Sequence, residues 1–207
     1  AATLARILEL ADRHHANITA VVTWAFEFED QPYFEGFRSL ATNGIDKPIL
    51  NVFRMFGLLS GEQVPVASSQ AATLDSILQS GVSAQPDINA IATREDRNLA
   101  VLAWNYHDDD IRMPGAPVEI IIKGLPGSAN RVLVHHYRID AYHSNAYTVW
   151  KELGSPQSLD AEQYSRLASL GHLQLLTSPE WMSPEQGQLR LRFALPRHAT
   201  SLIRVSW

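Results

Sequence analysis

Three carboxylates crowd into four positions at Glu27, Glu29 and Asp30, with Phe28 between the first two and Trp24 just ahead of them. Ionised carboxylates are acceptor-only groups, and two or three on one loop suit the hydrogen-bonding of vicinal hydroxyls. A flat indole such as Trp24 stacks on the apolar face of a saturated ring; the plain alternative is a core tryptophan. Glu27 and Glu29 can also be written as an acid and nucleophile pair. Residues this close on one strand end are poorly placed to flank a scissile bond from two sides. The plain alternative for the three acids is a solvated loop, or an ion pair to Arg38.

Other constellations are weaker. His107 with Asp108, Asp109 and Asp110 offers oxygen and imidazole ligands, but the glycine-punctuated pattern of a calcium loop is missing and three acids in a turn are usually solvated. His135 and His136 occupy neighbouring strand positions, which point to opposite faces. Ser144, His143 and Asp140 can be arranged on paper as a triad, without the Gly-x-Ser-x-Gly turn that would present the nucleophile. The sequence holds no cysteine, which removes thiolate ligands and a cysteine nucleophile. No metal and no cofactor is assigned.

The elements that must position these residues change character along the chain. Residues 3–14 read as a helix, with Leu4, Ile7, Leu8 and Ala11 on one face. Residues 18–26 are β-branched and aromatic and apolar on both faces, the pattern of a strand covered on both sides. Residues 27–44 are irregular, and a loop of that length points to function. A helix follows, with Asp46 as cap, Pro48 in its first turn, Ile49, Val52, Phe53 and Phe56 as its buried stripe, and Gly57 or Gly61 at its end. Helix, strand, loop, helix is the alternation of a parallel α/β sheet or barrel.

Beyond residue 61 the texture is that of short strands: 87–93, 98–106, 118–123, 131–139, 188–194 and 201–205, punctuated by Gly, Pro, Asn and Asp. That spacing predicts a β-sandwich. A helical pair interrupts it. The first helix starts at Ser144 and carries Tyr147 and Trp150. The second starts on an Asp160/Gln163 capping box, turns Tyr164, Leu167 and Leu170 inward and ends at Gly171. The expectation is therefore a division into residues 1–60, the end of an α/β unit, and residues 61–207, an all-β unit. One strand with flanking helices cannot close a parallel sheet. The opening Ala1-Ala2-Thr3-Leu4, without Met or a signal-peptide pattern, fits the expectation that the chain is part of something longer.

The 207 residues carry 17 Lys plus Arg against 22 Asp plus Glu, a net charge of −5, which argues against a general nucleic-acid binder. No window of 18 uninterrupted apolar residues marks a membrane helix. Compartment and oligomeric state are not encoded in these features, and a homo-oligomer is compatible with them.

Long strings in the chain resemble glycoside hydrolase family 39, and its β-xylosidases in particular. They are Trp24-Ala25-Phe26-Glu27-Phe28-Glu29-Asp30, Gln31-Pro32-Tyr33-Phe34-Glu35-Gly36-Phe37 and Thr42-Asn43-Gly44-Ile45-Asp46-Lys47-Pro48, then Trp104-Asn105-Tyr106-His107-Asp108-Asp109-Asp110. Further matches are His136-Tyr137-Arg138-Ile139-Asp140, His143-Ser144-Asn145-Ala146-Tyr147, Gly154-Ser155-Pro156-Gln157 and Leu195-Pro196-Arg197. The resemblance implies a (β/α)8 TIM barrel followed by a β-sandwich with an inserted helical pair. Here only the barrel's end would be present, residues 3–14 as its seventh helix and 18–26 as its eighth strand. It implies release of xylose from the non-reducing end of xylo-oligosaccharides with retention of configuration, by two glutamates about 5–5.5 Å apart.

Those two glutamates belong to earlier barrel strands, so the resemblance assigns no catalytic residue here. It assigns Trp24 at a strand's C-terminal end, where barrel sites are built, as a sugar platform. Phe28, Glu29 and Asp30 resemble the family's acidic pair after an aromatic, although the spacing from Trp24 is shorter and the second acid is Asp. Glu27 joins them as a substrate-binding candidate. The implied partners are a xylo-oligosaccharide or aryl β-xyloside and the remainder of the barrel. Two other readings stay open. One is a non-catalytic sandwich module binding carbohydrate or protein. The other is an α-iduronidase-like member of the family, whose uronic acid would need a cation.

Overall fold

The structure is a computed structural model that describes residues 1–23, 25–28, 30–36, 38–83, 85–111 and 113–207. In chain order the elements are α1 (Ala2–Arg13), β1 (Ala41–Thr42), β2 (Ile45–Asp46), α2 (Pro48–Gly57), β3 (Glu62–Val64), α3 (Leu74–Ser80), β4 (Asp87–Glu95) and β5 (Asn98–Tyr106). They continue with β6 (Ala116–Lys123), β7 (Val132–Ile139), α4 (Ala146–Glu152), α5 (Ala161–Gly171), β8 (Gln174–Leu175), β9 (Glu180–Met182), β10 (Gln188–Leu195) and β11 (Thr200–Ser206). Among the described residues no helix is long and apolar enough to cross a membrane.

An antiparallel sheet dominates this α/β fold. Its order is β3-β4-β5-β11-β7-β8, with β9 also pairing β7. β5 and β11 are central, with Leu102 opposite Leu202 and Ala103 opposite Ser201. β5 runs Leu-Ala-Val-Leu-Ala-Trp because both its faces are covered, which suppresses polar alternation. On one face Ala92, Val101, Val132, Val134, Ile203 and Val205 pack against Ile122 and Leu189, which belong to a second sheet made of β6 and β10. On the other face Ala100, Leu102, Ile139 and Leu202 pack against Val52 and Met55 of α2. Burying each such side chain contributes about 1.5–3 kcal/mol.

Buried ion pairs and amides fasten the helical layer. The Asp87 carboxylate accepts from the Arg6 guanidinium (2.8 Å), the Ala72 N–H (2.9 Å) and the Trp104 indole N–H (2.9 Å). Arg138, nearly inaccessible in β7, donates from Nε to Ser201 Oγ (2.9 Å) and from Nη2 to the Ala194 carbonyl (3.1 Å). Buried polar groups endure in such numbers only when partnered like this.

Four expectations change. First, residues 18–23 lie outside any strand, and Val22 is 86% exposed. A strand apolar on both faces needs neighbours on both edges, and the large sheet is built from residues 62–206 instead. Second, Asp46 does not cap α2: the N-cap is Lys47, without a side-chain cap bond. Third, the buried positions of α2 are Leu50, Asn51, Val52 and Met55, while Ile49 is exposed. α2 is apolar on more than one side, and the sheet selects the face that carries Met55. Likewise α4 starts on Asn145, whose side chain accepts from the Tyr147 N–H, whereas Ser144 is wholly buried. The Asp160/Gln163 capping box forms as expected.

Candidate functional site

The segment from Phe26 to Lys47 is closed by its own backbone. The Phe26 carbonyl accepts from both Leu40 N–H (2.8 Å) and Ala41 N–H (2.9 Å), and Ala25 bridges Ser39 in parallel. Its far end is the β1–β2 hairpin, turning on Asn43 (φ 47°) and Gly44 (φ 79°). Asn-Gly with two positive φ values is the preferred chemistry for a two-residue hairpin turn. The Lys47 ammonium donates to the carbonyls of Glu35 (2.7 Å) and Gly36 (3.4 Å) and to Ser39 Oγ (2.5 Å). Burial pushes the Lys47 pKa down, and the Glu27 charge opposes that.

Glu27 is half-buried and its Oε1 accepts from Gly44 N–H at 2.8 Å, so one oxygen ties the loop stem to the hairpin turn. Phe28 is half-buried next to Gly36. Asp30 is exposed with φ 54°, a left-handed conformation that Asp adopts more readily than most residues. Trp24 and Glu29 lie outside the described residues. Tyr33, Phe34 and Ile45 turn the other way, into a cluster with Ala146, Trp150 and Leu167 of the helical pair. Phe34 packs on Trp150 with centroids 4.9 Å apart and on Tyr147 at 5.5 Å. Tyr33 N–H donates to Gln157 Oε1 (2.6 Å), and Tyr164 Oη donates to the Asn43 carbonyl (3.2 Å). The identity of these side chains was legible, but their pairing across more than a hundred residues was not. The Asn43-Gly44 dipeptide was the one local signal of the hairpin.

Beside the loop stem, Val22, Thr23, Arg38, Ile49 and Phe53 border an open cavity of about 440 Å³. A second cavity, about 630 Å³, lies between β6 and the β4–β5 part of the large sheet, away from the loop.

The remaining constellations are engaged structurally. Ser144 Oγ donates to the Arg138 carbonyl (2.7 Å) and accepts from Gln174 N–H (2.8 Å), so it makes no triad. Asp140 accepts from the N–H groups of Tyr142 and His143 and from the His143 ring. Burial alone would raise the Asp140 pKa; these bonds and the His143 charge hold it below the usual carboxylate range. Asp109 binds Arg197, and Asp108 accepts from Val82 N–H. Among the described residues no group of three His, Asp or Glu side chains is placed to hold a metal ion.

The fold recurs in solved structures. A monomeric β-xylosidase from Caulobacter crescentus superposes with a TM-score of 0.75 at 18% identity, covering 98% of this chain and 40% of that one. A GH39 enzyme from Xanthomonas axonopodis pv. citri superposes at 0.68 with 14% identity, covering 84% and 33%. Identity this low carries the fold and nothing finer. The class follows from the sequence comparison: the family model for glycosyl hydrolases family 39 matches residues 1–181, and the chain belongs to that family.

Two curated relatives bracket it. It is 27% identical over 142 residues to a β-xylosidase of Caldicellulosiruptor saccharolyticus, covering 69% of this chain and 26% of the relative. It is 31% identical over 168 residues to an α-L-iduronidase of Mus musculus, covering 77% and 25%. The chain spans about a quarter of the length of these relatives.

Proposed function

We propose that the chain is the C-terminal part of a retaining, β-xylosidase-like hydrolase. In this reading residues 1–60 are the end of its (β/α)8 barrel and residues 61–207 its accessory β-sandwich with an inserted helical pair. The whole enzyme releases xylose from the non-reducing end of xylo-oligosaccharides or aryl β-xylosides, and its two catalytic glutamates lie upstream of Ala1. Trp24, Glu27, Phe28, Glu29 and Asp30 form one wall of the sugar site, the indole stacking on the ring and the carboxylates accepting from its hydroxyls.

The observation that carries this reading is the uncovered apolar surface on the barrel-like side. Val22 and Ile49 are exposed around the open cavity that Thr23, Arg38 and Phe53 also border, and Ile18, Val21 and Phe26 of the adjoining loop stem are exposed as well. Scattered exposed apolar residues need no explanation, but a contiguous set marks a surface that another element covers. The missing barrel strands and helices fit it. The acidic loop favours a neutral sugar over a uronic acid, whose carboxylate calls for a cation; the Lys47 ammonium is already engaged by Glu35, Gly36 and Ser39.

The test is hydrolysis of an aryl β-xyloside. The 207-residue chain alone is expected to be inactive, and the full-length polypeptide active. Hydrolysis by the 207-residue chain that Glu27→Gln or Glu29→Gln abolishes would overturn the placement of the catalytic pair. In the full-length enzyme Trp24→Ala and Asp30→Ala are expected to weaken xylose binding, and unchanged kinetics for both would remove the site assignment.

A further inference from the structure

β7 and β8 are antiparallel neighbours, with Tyr137 opposite Leu175. A two-residue turn suffices to join such strands, yet the chain makes an excursion over residues 140–173 that contains α4 and α5. The sheet gains little from it. The apolar side of the pair is used instead by the loop of residues 26–47, through Tyr33, Phe34 and the wholly buried Ile45. Polar contacts reinforce the same junction: Tyr164 Oη with the Asn43 carbonyl, Gln157 with Tyr33 N–H, and His172 Nδ1 with Asp46 at 2.9 Å. Gly171 is so close that a Cβ there would stand 2.9 Å from the Asp46 carbonyl oxygen. These contacts fall at Tyr33–Phe34 and along the β1–β2 hairpin, and the hairpin they hold donates Gly44 N–H to Glu27.

We propose that the α4–α5 pair is the positioning element of the sugar-facing loop: Trp150, through Phe34, and Tyr164, through the Asn43–Gly44 turn, set where Glu27 presents its carboxylate. This rests on the reading of the loop as a wall of the sugar site. Trp150 and Tyr164 touch no substrate; they act through the loop. Aromatic contacts of this geometry favour one relative orientation over generic burial, so the pair fixes the loop's place as well as its stability.

Hydrogen exchange on the 207-residue chain tests the structural half. The reporters are the Leu40, Ala41 and Gly44 amides, with Leu102 and Ile203 in the central strands as controls. Trp150→Ala is expected to speed the loop amides at least tenfold with the controls within twofold, and Trp150→Phe to restore most of the protection. Should Trp150→Ala disturb the controls as well, Tyr164→Phe decides, since it removes only the hydroxyl. At least threefold faster exchange at Gly44 is expected from it, and no change overturns the proposal.

The functional half is read in the full-length polypeptide. Trp150→Ala is expected to raise KM for an aryl β-xyloside at least fivefold with kcat within twofold, and Trp150→Phe to recover it. An unchanged KM overturns the positioning role. A full-length protein with no glycosidase activity would overturn the functional reading instead, and would leave the exchange result standing.

Discussion

Asn51 Nδ2 in α2 donates to the carbonyl oxygens of both Gly171 (2.6 Å) and Ser144 (3.1 Å), bridging the helix that covers the large sheet to both ends of the inserted pair. Its Oδ1 accepts from Arg54 (2.8 Å), and the side chain is fully buried. One amide therefore satisfies two orphan carbonyls at once.

Replacing it with Leu keeps the volume and strips both carbonyls of their donor. Each buried unsatisfied group costs about 1–3 kcal/mol, so Asn51→Leu is expected to destabilise the chain by about 2–6 kcal/mol. Urea unfolding measures it, and a loss below the cost of one such group would mean that water reaches those carbonyls.

The Asp87 carboxylate is almost inaccessible and the Arg6 side chain nearly so. Removing one member of a buried pair leaves the other charge uncompensated, at about 3–5 kcal/mol. Arg6 keeps its ion pair with the exposed Glu9 (2.5 Å), so Asp87→Asn is expected at the low end of that range. Adding Arg6→Met should recover part of the loss, because the cation that has lost its buried partner goes with it. Strictly additive losses in the double variant would contradict the pairing.

Local physics explains what the sequence made visible. The strands at 87–95, 98–106 and 132–139 announce themselves through short apolar runs bounded by turn residues, and the start of α5 through Asp160 and Gln163 three positions apart. α3 and the two- and three-residue strands β3, β8 and β9 carry no period long enough to read. Residues 18–26 failed differently. Their pattern states a demand for neighbours, and the described chain supplies a single bridge, from Ala25 to Ser39. At the site, the acids and aromatics were legible by type. Glu27 bonds to a turn 17 residues on, whose placement depends on the hairpin closing, and Trp150 and Tyr164 back the loop through contacts more than a hundred residues apart, which no local window contains.

His136 faces the second sheet, with its Nε2 2.9 Å from Ser201 Oγ and its ring 4.7 Å from Phe193. Burial first, then the charges of Arg138 and His143, pushes its pKa down to about 4 from an ordinary 6.5. Between those values the unfolded chain binds more protons than the folded one, so stability rises with pH through the window, is complete above it and is lost as pH falls toward 4. The full difference is of the order of 3 kcal/mol. Asp140 is held below the carboxylate range, so its own loss comes at lower pH. Burial also lowers the pKa of His107 and brings that of the Ala1 amine down to about 6, so urea midpoints between pH 5 and 7 carry all three groups, and His136→Gln should reduce their slope. A slope undiminished by the substitution would assign the titration elsewhere.

Gly44 combines a left-handed backbone with a close neighbour. A Cβ at this position would sit 2.6 Å from Tyr164 Oη, and φ of 79° already costs a non-glycine residue about 1–2 kcal/mol. Tyr164 is partly exposed and its ring can swing aside, at the expense of its bond to the Asn43 carbonyl. Gly44→Ala alone is thus expected to cost about 2–3 kcal/mol, the backbone strain plus a lost hydrogen bond of about 1 kcal/mol. In a Tyr164→Ala background the steric part vanishes and only the strain remains, so the same substitution should cost about 1 kcal/mol less. Urea unfolding of the two single variants and the double variant completes the cycle. Equal costs in both backgrounds would mean that Tyr164 does not bear on the turn.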